Sequence, residues 1–272
     1  MTARKHLGRG LESVSHLFLS RHHPTTPEAP SQQEAPASSV GPGVPVPYLF
    51  VTSGSDVIGR AVVACNVALE LARRGHATAV VDADASQPNL RLLMGALLKS
   101  AAIPTRLAVD ESHELALFDS LEAAGRAEEA WDYVVVNAPS ALFAAAPPPV
   151  AAARVLLVVS PDARELIRGY ALVKRTARWH SRLQLGIVVS GVDAADAARA
   201  LFNQFLDLLG RRLNVLPAYC GYLAEHEAIG RSVLRRTPAV LGSEASDLVE
   251  QLRAIAAAVA CEFEPGGSAR NR

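Results

Sequence analysis

The sequence predicts an α/β domain built on a mostly parallel sheet flanked by helices. Two patterns predict it. Short runs rich in Val, Ile and Leu alternate along the chain with longer segments whose apolar residues recur at helical spacing. Strand, helix and strand in succession imply right-handed βαβ units, and hence parallel neighbours. Composition agrees: half of the 272 residues are hydrophobic and 5% are aromatic. Ala, Val and Leu carry most of that apolar share, which suits strands covered on both faces by helices.

The elements follow in order. Tyr48-Leu-Phe-Val-Thr52 is a short apolar strand between Pro47 and Ser53-Gly54. From Gly59 to Arg74, Val62, Val63, Val67, Leu69 and Leu71 mark a helix that stops at Gly75. Ala77-Thr-Ala-Val-Val-Asp82 is a second buried strand, and a helix is expected over Leu90 to Leu98. Further strands lie at Asp132 to Asn137, Arg154 to Ser160 and Leu185 to Ser190. Helical patterns cover Asp162 to Arg178, Ala194 to Leu209 and Asp247 to Ala260. The domain so defined spans residues 46–262, with a disordered tail expected over 263–272.

The amino-terminal residues differ in kind. Within residues 1–20, Leu7, Leu11, Val14, Leu17 and Phe18 fall at helical spacing and predict a short amphipathic helix. Residues 21–45, rich in Pro, Ser, Gln and Ala, read as a disordered linker. The helix would be a hook for a protein partner or for the domain itself.

Charge and cysteine content remove several classes of function. There are 27 acidic and 27 basic residues, so no global field draws the chain toward nucleic acid or anionic lipid. Cys65, Cys220 and Cys261 are widely separated and match no zinc-ligand spacing. Few unpatterned cysteines suit a reducing cytoplasm. The amino terminus has no uninterrupted apolar stretch of a signal peptide, and no apolar run approaches the roughly 20 residues that span a bilayer. A cytoplasmic protein is expected.

Ligands on parallel sheets bind beyond the carboxyl ends of the strands. After the first strand comes Ser53-Gly-Ser-Asp-Val-Ile-Gly-Arg-Ala61 and then a helix. Strand, small-residue loop and helix is the layout that aims backbone N–H groups at phosphate. Gly54, Ser55, Gly59, Arg60 and Ala61 are therefore the candidate cofactor-binding positions. The second strand runs into Val80-Val-Asp-Ala-Asp84. Asp82 and Asp84 are candidate magnesium ligands, since strand-end carboxylates commonly hold that ion or orient water. Asp84 would be the catalytic residue if the site turns over.

The order of these segments resembles the MinD/ParA family of deviant-Walker P-loop ATPases. Their loop reads S-G-K-G-G-V-G-K-T, followed by V-D-A-D-x-x-x-x-N-L and a strand ending D-x-P. The segments Gly221-Tyr-Leu, Ala228-Ile, Val233 and Thr237-Pro238 are similar to the branch containing the flagellar-number regulators FlhG and FleN. The resemblance implies a P-loop NTPase fold, ATP with magnesium as cofactor, dimerisation and protein partners.

The chain departs from that pattern in one concentrated place. The family's first lysine falls on Ser55, its second on Arg60, its threonine on Ala61 and its paired glycines on Asp56 and Val57. Ala61 has no oxygen for magnesium, and Arg60 is a broad planar fork in place of a compact ammonium. Val57 resists the positive φ that glycine permits. The D-x-P aspartate is Asn137, and Ser190 stands where the family commonly has an adenine-reading asparagine. These losses imply weak or absent ATP and magnesium binding: a pseudo-ATPase acting as a regulatory or spatial-organisation scaffold.

Plainer readings compete at each position. Asp82 and Asp84 could be solvated strand-end carboxylates, Gly54 and Gly59 turn and helix-start residues, and Arg60 a surface residue. Lys174, Arg175, Arg178 and Arg182 read first as a solvated helix face. Three other functions are open. One is an ATP-dependent switch of the MinD/ParA/FlhG type with an unorthodox loop. Another is a polysaccharide-export tyrosine-kinase relative, although the segment from Cys261 to Arg272 has no tyrosine cluster. The third is a DNA-binding partition protein, which needs a basic face.

Overall fold

The computed structural model describes residues 47–54, 58–84, 89–95, 104–143, 154–180, 183–242 and 246–263. The expected helix over 1–20, the linker over 21–45, the loop crest 55–57 and residues 264–272 of the expected tail lie outside the described residues.

Strands β1 (Tyr48–Ser53), β2 (Thr78–Asp82), β5 (Tyr133–Asn137), β6 (Arg154–Val159), β7 (Gln184–Val192) and β8 (Ala218–Ala224) are joined by β3 (Thr105–Ala108) and β4 (Glu114–Phe118). They form one eight-stranded sheet in the order β3-β4-β2-β5-β1-β6-β7-β8. Every pairing is parallel except β3 with β4. The α/β class with a mostly parallel sheet is thus the observed architecture.

Seven helices are described around this sheet: α1 (Ile58–Arg73), α2 (Asn89–Leu93), α3 (Leu121–Gly125), α4 (Ala163–Trp179), α5 (Ala195–Leu213), α6 (Glu227–Arg235) and α7 (Ser246–Glu262). Strand side chains alternate between two cores, as a period of two requires. Leu49, Val51, Val80, Val135 and Val188 join α1 and α7 on one face. Phe50, Val81, Val136, Leu157 and Val189 join α4 and α5 on the other.

Helix α1 is buried on every side from Arg60 to Ala72, because the sheet and α7 enclose it. Its two polar side chains deeper in the helix are satisfied there. Asn66 donates to the Val62 carbonyl at 2.8 Å and accepts from the Val240 amide at 3.0 Å, while Glu70 meets Arg73 at 3.0 Å and Arg253 at 3.4 Å. Phe263, assigned to the tail by sequence, is 2% exposed and belongs to the α1 core.

Several boundaries differ from expectation. Helix α2 is described as a single five-residue turn, Asn89–Leu93, within the stretch expected to run to Leu98. The antiparallel β3–β4 ladder and the strand β8 carry weak sequence patterns, Thr-Arg-Leu-Ala and Ala-Tyr-Cys-Gly-Tyr-Leu-Ala, and were not expected. β3 and β8 are the edge strands, where partial exposure relaxes the demand for continuous apolar residues, whereas β4 is short but buried from Leu115 to Phe118.

Candidate functional site

The strand order explains why the candidate residues meet. With β5 between β2 and β1, Asp82 lies opposite Asn137, and Asn137 opposite Val51. The amide ladder continues past the strands, with Ala83 N–H donating to the Asn137 carbonyl at 3.2 Å and Ala138 N–H to Val51 at 2.9 Å. Chain from β1 returns as α1 beside these ends, and Arg60 in the first turn of α1 points into them.

Arg60 is 1% exposed, and Asp82 and Asp84 are 5% and 3% exposed. This corrects the surface reading of Arg60 and the solvated reading of the two carboxylates. The Arg60 guanidinium donates from Nη2 to Asp84 Oδ2 at 2.7 Å and from Nε to Asn137 Oδ1 at 2.8 Å. Asn137 Nδ2 donates in turn to Asp82 Oδ1 at 2.9 Å, and the Leu90 amide of α2 donates to Asp82 Oδ2 at 2.8 Å. Asp84, Arg60, Asn137, Asp82 and the start of α2 therefore form one continuous donor–acceptor chain.

The chemistry of position 137 follows from this chain. Nε–H of arginine can only donate and the Asp82 carboxylate can only accept, so the residue between them must accept on one side and donate on the other. An amide does both, and only one of its two orientations fits. An ionised aspartate would set two carboxylates face to face. Burial pushes the Asp82 carboxyl above its ordinary pKa and the Asp84 charge adds to that, while the hydrogen bonds from Asn137, Leu90 and Asp84 pull it back.

The other candidates separate into two groups. Ala61 is 1% exposed and packed in the α1 core, where its methyl group meets apolar neighbours. Gly54 is crowded: a Cβ there would stand 2.3 Å from the Glu165 carbonyl oxygen and 3.0 Å from the Gly169 amide of α4. Its lack of a side chain serves the close packing of α4. At Gly59 a Cβ would meet nothing within 4 Å. Ser55 lies outside the described residues. Ser190, at the end of β7, is half-buried and donates to the Val159 carbonyl at 3.4 Å.

Fit to ATP and magnesium can be judged from these contacts. Asp84 faces a guanidinium, and both Asp82 oxygens accept from protein donors. Ala61 offers no hydroxyl. In this arrangement the side chains that would hold a metal and its nucleotide are satisfied by one another. The described residues contain no group of three or more His, Cys, Asp or Glu side chains that could hold a metal ion. In the expected basic face, Lys174 and Arg178 are exposed, whereas Arg175 is half-buried and donates to the Phe143 carbonyl at 3.0 Å. Arg182 lies outside the described residues.

A central β1, a following helix, the acidic end of β2 and the Asn137 end of β5 arranged beside them give the layout of a P-loop NTPase fold. No family model matches the chain. Among curated proteins it is 23% identical over 219 residues to the antiactivator FleN of Pseudomonas aeruginosa, covering 71% of this chain and 78% of FleN. Among solved structures, a chain of the MinC:MinD cell division protein complex of Aquifex aeolicus aligns with a TM-score of 0.63 at 16% identity, covering 83% of this chain and 98% of that one. The cell division ATPase MinD of Pyrococcus furiosus aligns with a TM-score of 0.58 at 16% identity, covering 78% and 97%. The chain therefore has the fold of the MinD proteins.

Proposed function

We propose that this chain is a regulatory or spatial-organisation scaffold of the MinD/ParA type whose own side chains stand in for nucleotide and metal: a pseudo-ATPase. Arg60 is the observation that carries the reading. Its buried guanidinium joins Asp84 at 2.7 Å and Asn137 at 2.8 Å, at the strand ends where relatives of this fold would receive phosphate and magnesium. Admitting a magnesium nucleotide requires the guanidinium to leave, stranding buried charge at a cost of about 3–5 kcal/mol. That penalty alone weakens binding by roughly two to four orders of magnitude.

Two further residues support it. Ala61 cannot ligate magnesium, and Asn137 completes the internal network only as a neutral amide. The FleN relative is named an antiactivator, which supports regulation through contact with another protein. A homodimer of this chain would then rest on constitutive contacts. The absence, among the described residues, of any helix long and apolar enough to cross a membrane, together with free thiols at Cys65, Cys220 and Cys261, supports action in the cytoplasm.

The test is calorimetric titration of the purified full chain with ATP and ADP, with and without magnesium. No heat of binding at millimolar nucleotide is expected. Micromolar, magnesium-dependent binding would overturn the proposal and leave the nucleotide-dependent switch in its place.

A further inference from the structure

The β8 margin of the sheet carries an open groove of about 680 Å³ that the candidate site does not use. Its lining comes from three elements: Asp196 and Arg199 in the first turns of α5, Tyr219 and Tyr222 on β8, and Glu250 and Gln251 on α7. Helix α5 covers one face of the sheet and α7 the other, so the groove runs along the edge itself. Strand β8 has a strand neighbour on one side only among the described residues. Exposed strand edges of this kind invite pairing or cover.

The groove has a definite chemistry. Two tyrosines give it an apolar floor with polar tips. Asp196 and Glu250 set two carboxylates at its rim beside one guanidinium, Arg199. That guanidinium already covers the Tyr219 ring, 3.8 Å from its centroid, which leaves Tyr222 as the aromatic part of the floor beside the carboxylates. The complementary occupant is a segment that alternates basic and apolar residues.

This chain contains such a segment. Residues 1–23 hold Arg4, Lys5, Arg9 and Arg21 against the single acid Glu12, with Leu7, Leu11, Val14, Leu17 and Phe18 between them. We infer that residues 1–23 dock in the β8 groove of the same molecule, cations on Asp196 and Glu250 and apolar side chains against Tyr222. The reach is adequate. Three strand spacings across the sheet and about five residues along it separate Tyr48 from the groove, about 20 Å in all. A flexible chain as long as the stretch between residues 23 and 48 spans about 25–30 Å. An occupied groove covers the edge and withholds residues 1–23 from other partners, which makes release of the segment a regulatory step.

Hydrogen exchange on the full chain at two protein concentrations tests the inference. Peptides spanning residues 4–18 and 218–224 are expected to be protected together and independently of concentration. The R4E/K5E/R9E variant should speed exchange in both by at least tenfold, and adding D196K/E250K should restore most of the protection. The inference is overturned if the charge reversal leaves 218–224 unchanged, or if the reciprocal reversal fails to rescue in a chain whose circular dichroism shows it folded. Protection that rises with protein concentration would overturn it in favour of a second copy seated on the edge.

Discussion

Arg60 and Asn137 act as a coupled pair. A buried guanidinium next to Asp84 neutralises one carboxylate, and the amide at 137 carries a hydrogen bond on to the second. Arg60→Ala should therefore cost about 3–5 kcal/mol, because Asp84 is left charged and buried. Arg60→Met combined with Asp84→Leu should recover part of that loss, since a buried pair replaced by apolar groups is often neutral. Denaturant melts of the two variants check both. Asn137→Asp puts a third carboxylate in the chain and should cost about 1–3 kcal/mol without metal. If these positions descend from a metal site, magnesium should raise the melting temperature of Asn137→Asp while leaving the parent chain unmoved.

The two loop glycines invite a similar contrast at the level of elements. Gly54→Ala drives a methyl group into the Glu165 carbonyl of α4, so the helix must shift, and a loss of about 1–3 kcal/mol is expected. Gly59→Ala meets open space in the first turn of α1 and should be neutral or stabilising by about 0.4–1 kcal/mol. Thermal melts that rank the two the other way would refute the packing role of Gly54. At the other end of this contact, Asp162 caps α4 by accepting from the Arg164 and Glu165 amides at 2.8 and 3.0 Å. Asp162→Ala should cost about 0.5–2 kcal/mol, and should loosen Gly54 exchange, because the capped turn is the one that packs on it.

Across the whole molecule, the core between the sheet, α1 and α7 holds both buried thiols and makes them a gauge of global opening. Burial pushes the Cys65 thiol far above its ordinary range, and Cys220 up to about 12 with Glu262 contributing. Cys261 is exposed. At pH 8 a maleimide should label Cys261 alone in the native chain, with Cys65 and Cys220 reacting only as fast as the domain unfolds. Fast native labelling at Cys65 would mean that α1 separates from the sheet without global unfolding.

The strands β1, β2, β5, β6 and β7 and the helices α1, α4, α5 and α7 were legible because their periodicity is a local property of consecutive residues. So was the chemical poverty of the loop, since an alanine at position 61 lacks a metal-binding oxygen in any conformation. β3 and β8 were not legible, because partly exposed edge strands carry mixed patterns that a turn could equally satisfy, and β4 was missed although its run Leu115-Ala-Leu-Phe118 is apolar and buried. Nor was the burial of Arg60, whose hydrogen-bond partners Asp84 and Asn137 stand 24 and 77 residues away in sequence. Only the tertiary structure decided that Asp84, Arg60, Asn137 and Asp82 form one chain of donors and acceptors. The order β2-β5-β1 creates that adjacency through space, and a hydrogen bond depends on spatial position, which local periodicity does not encode.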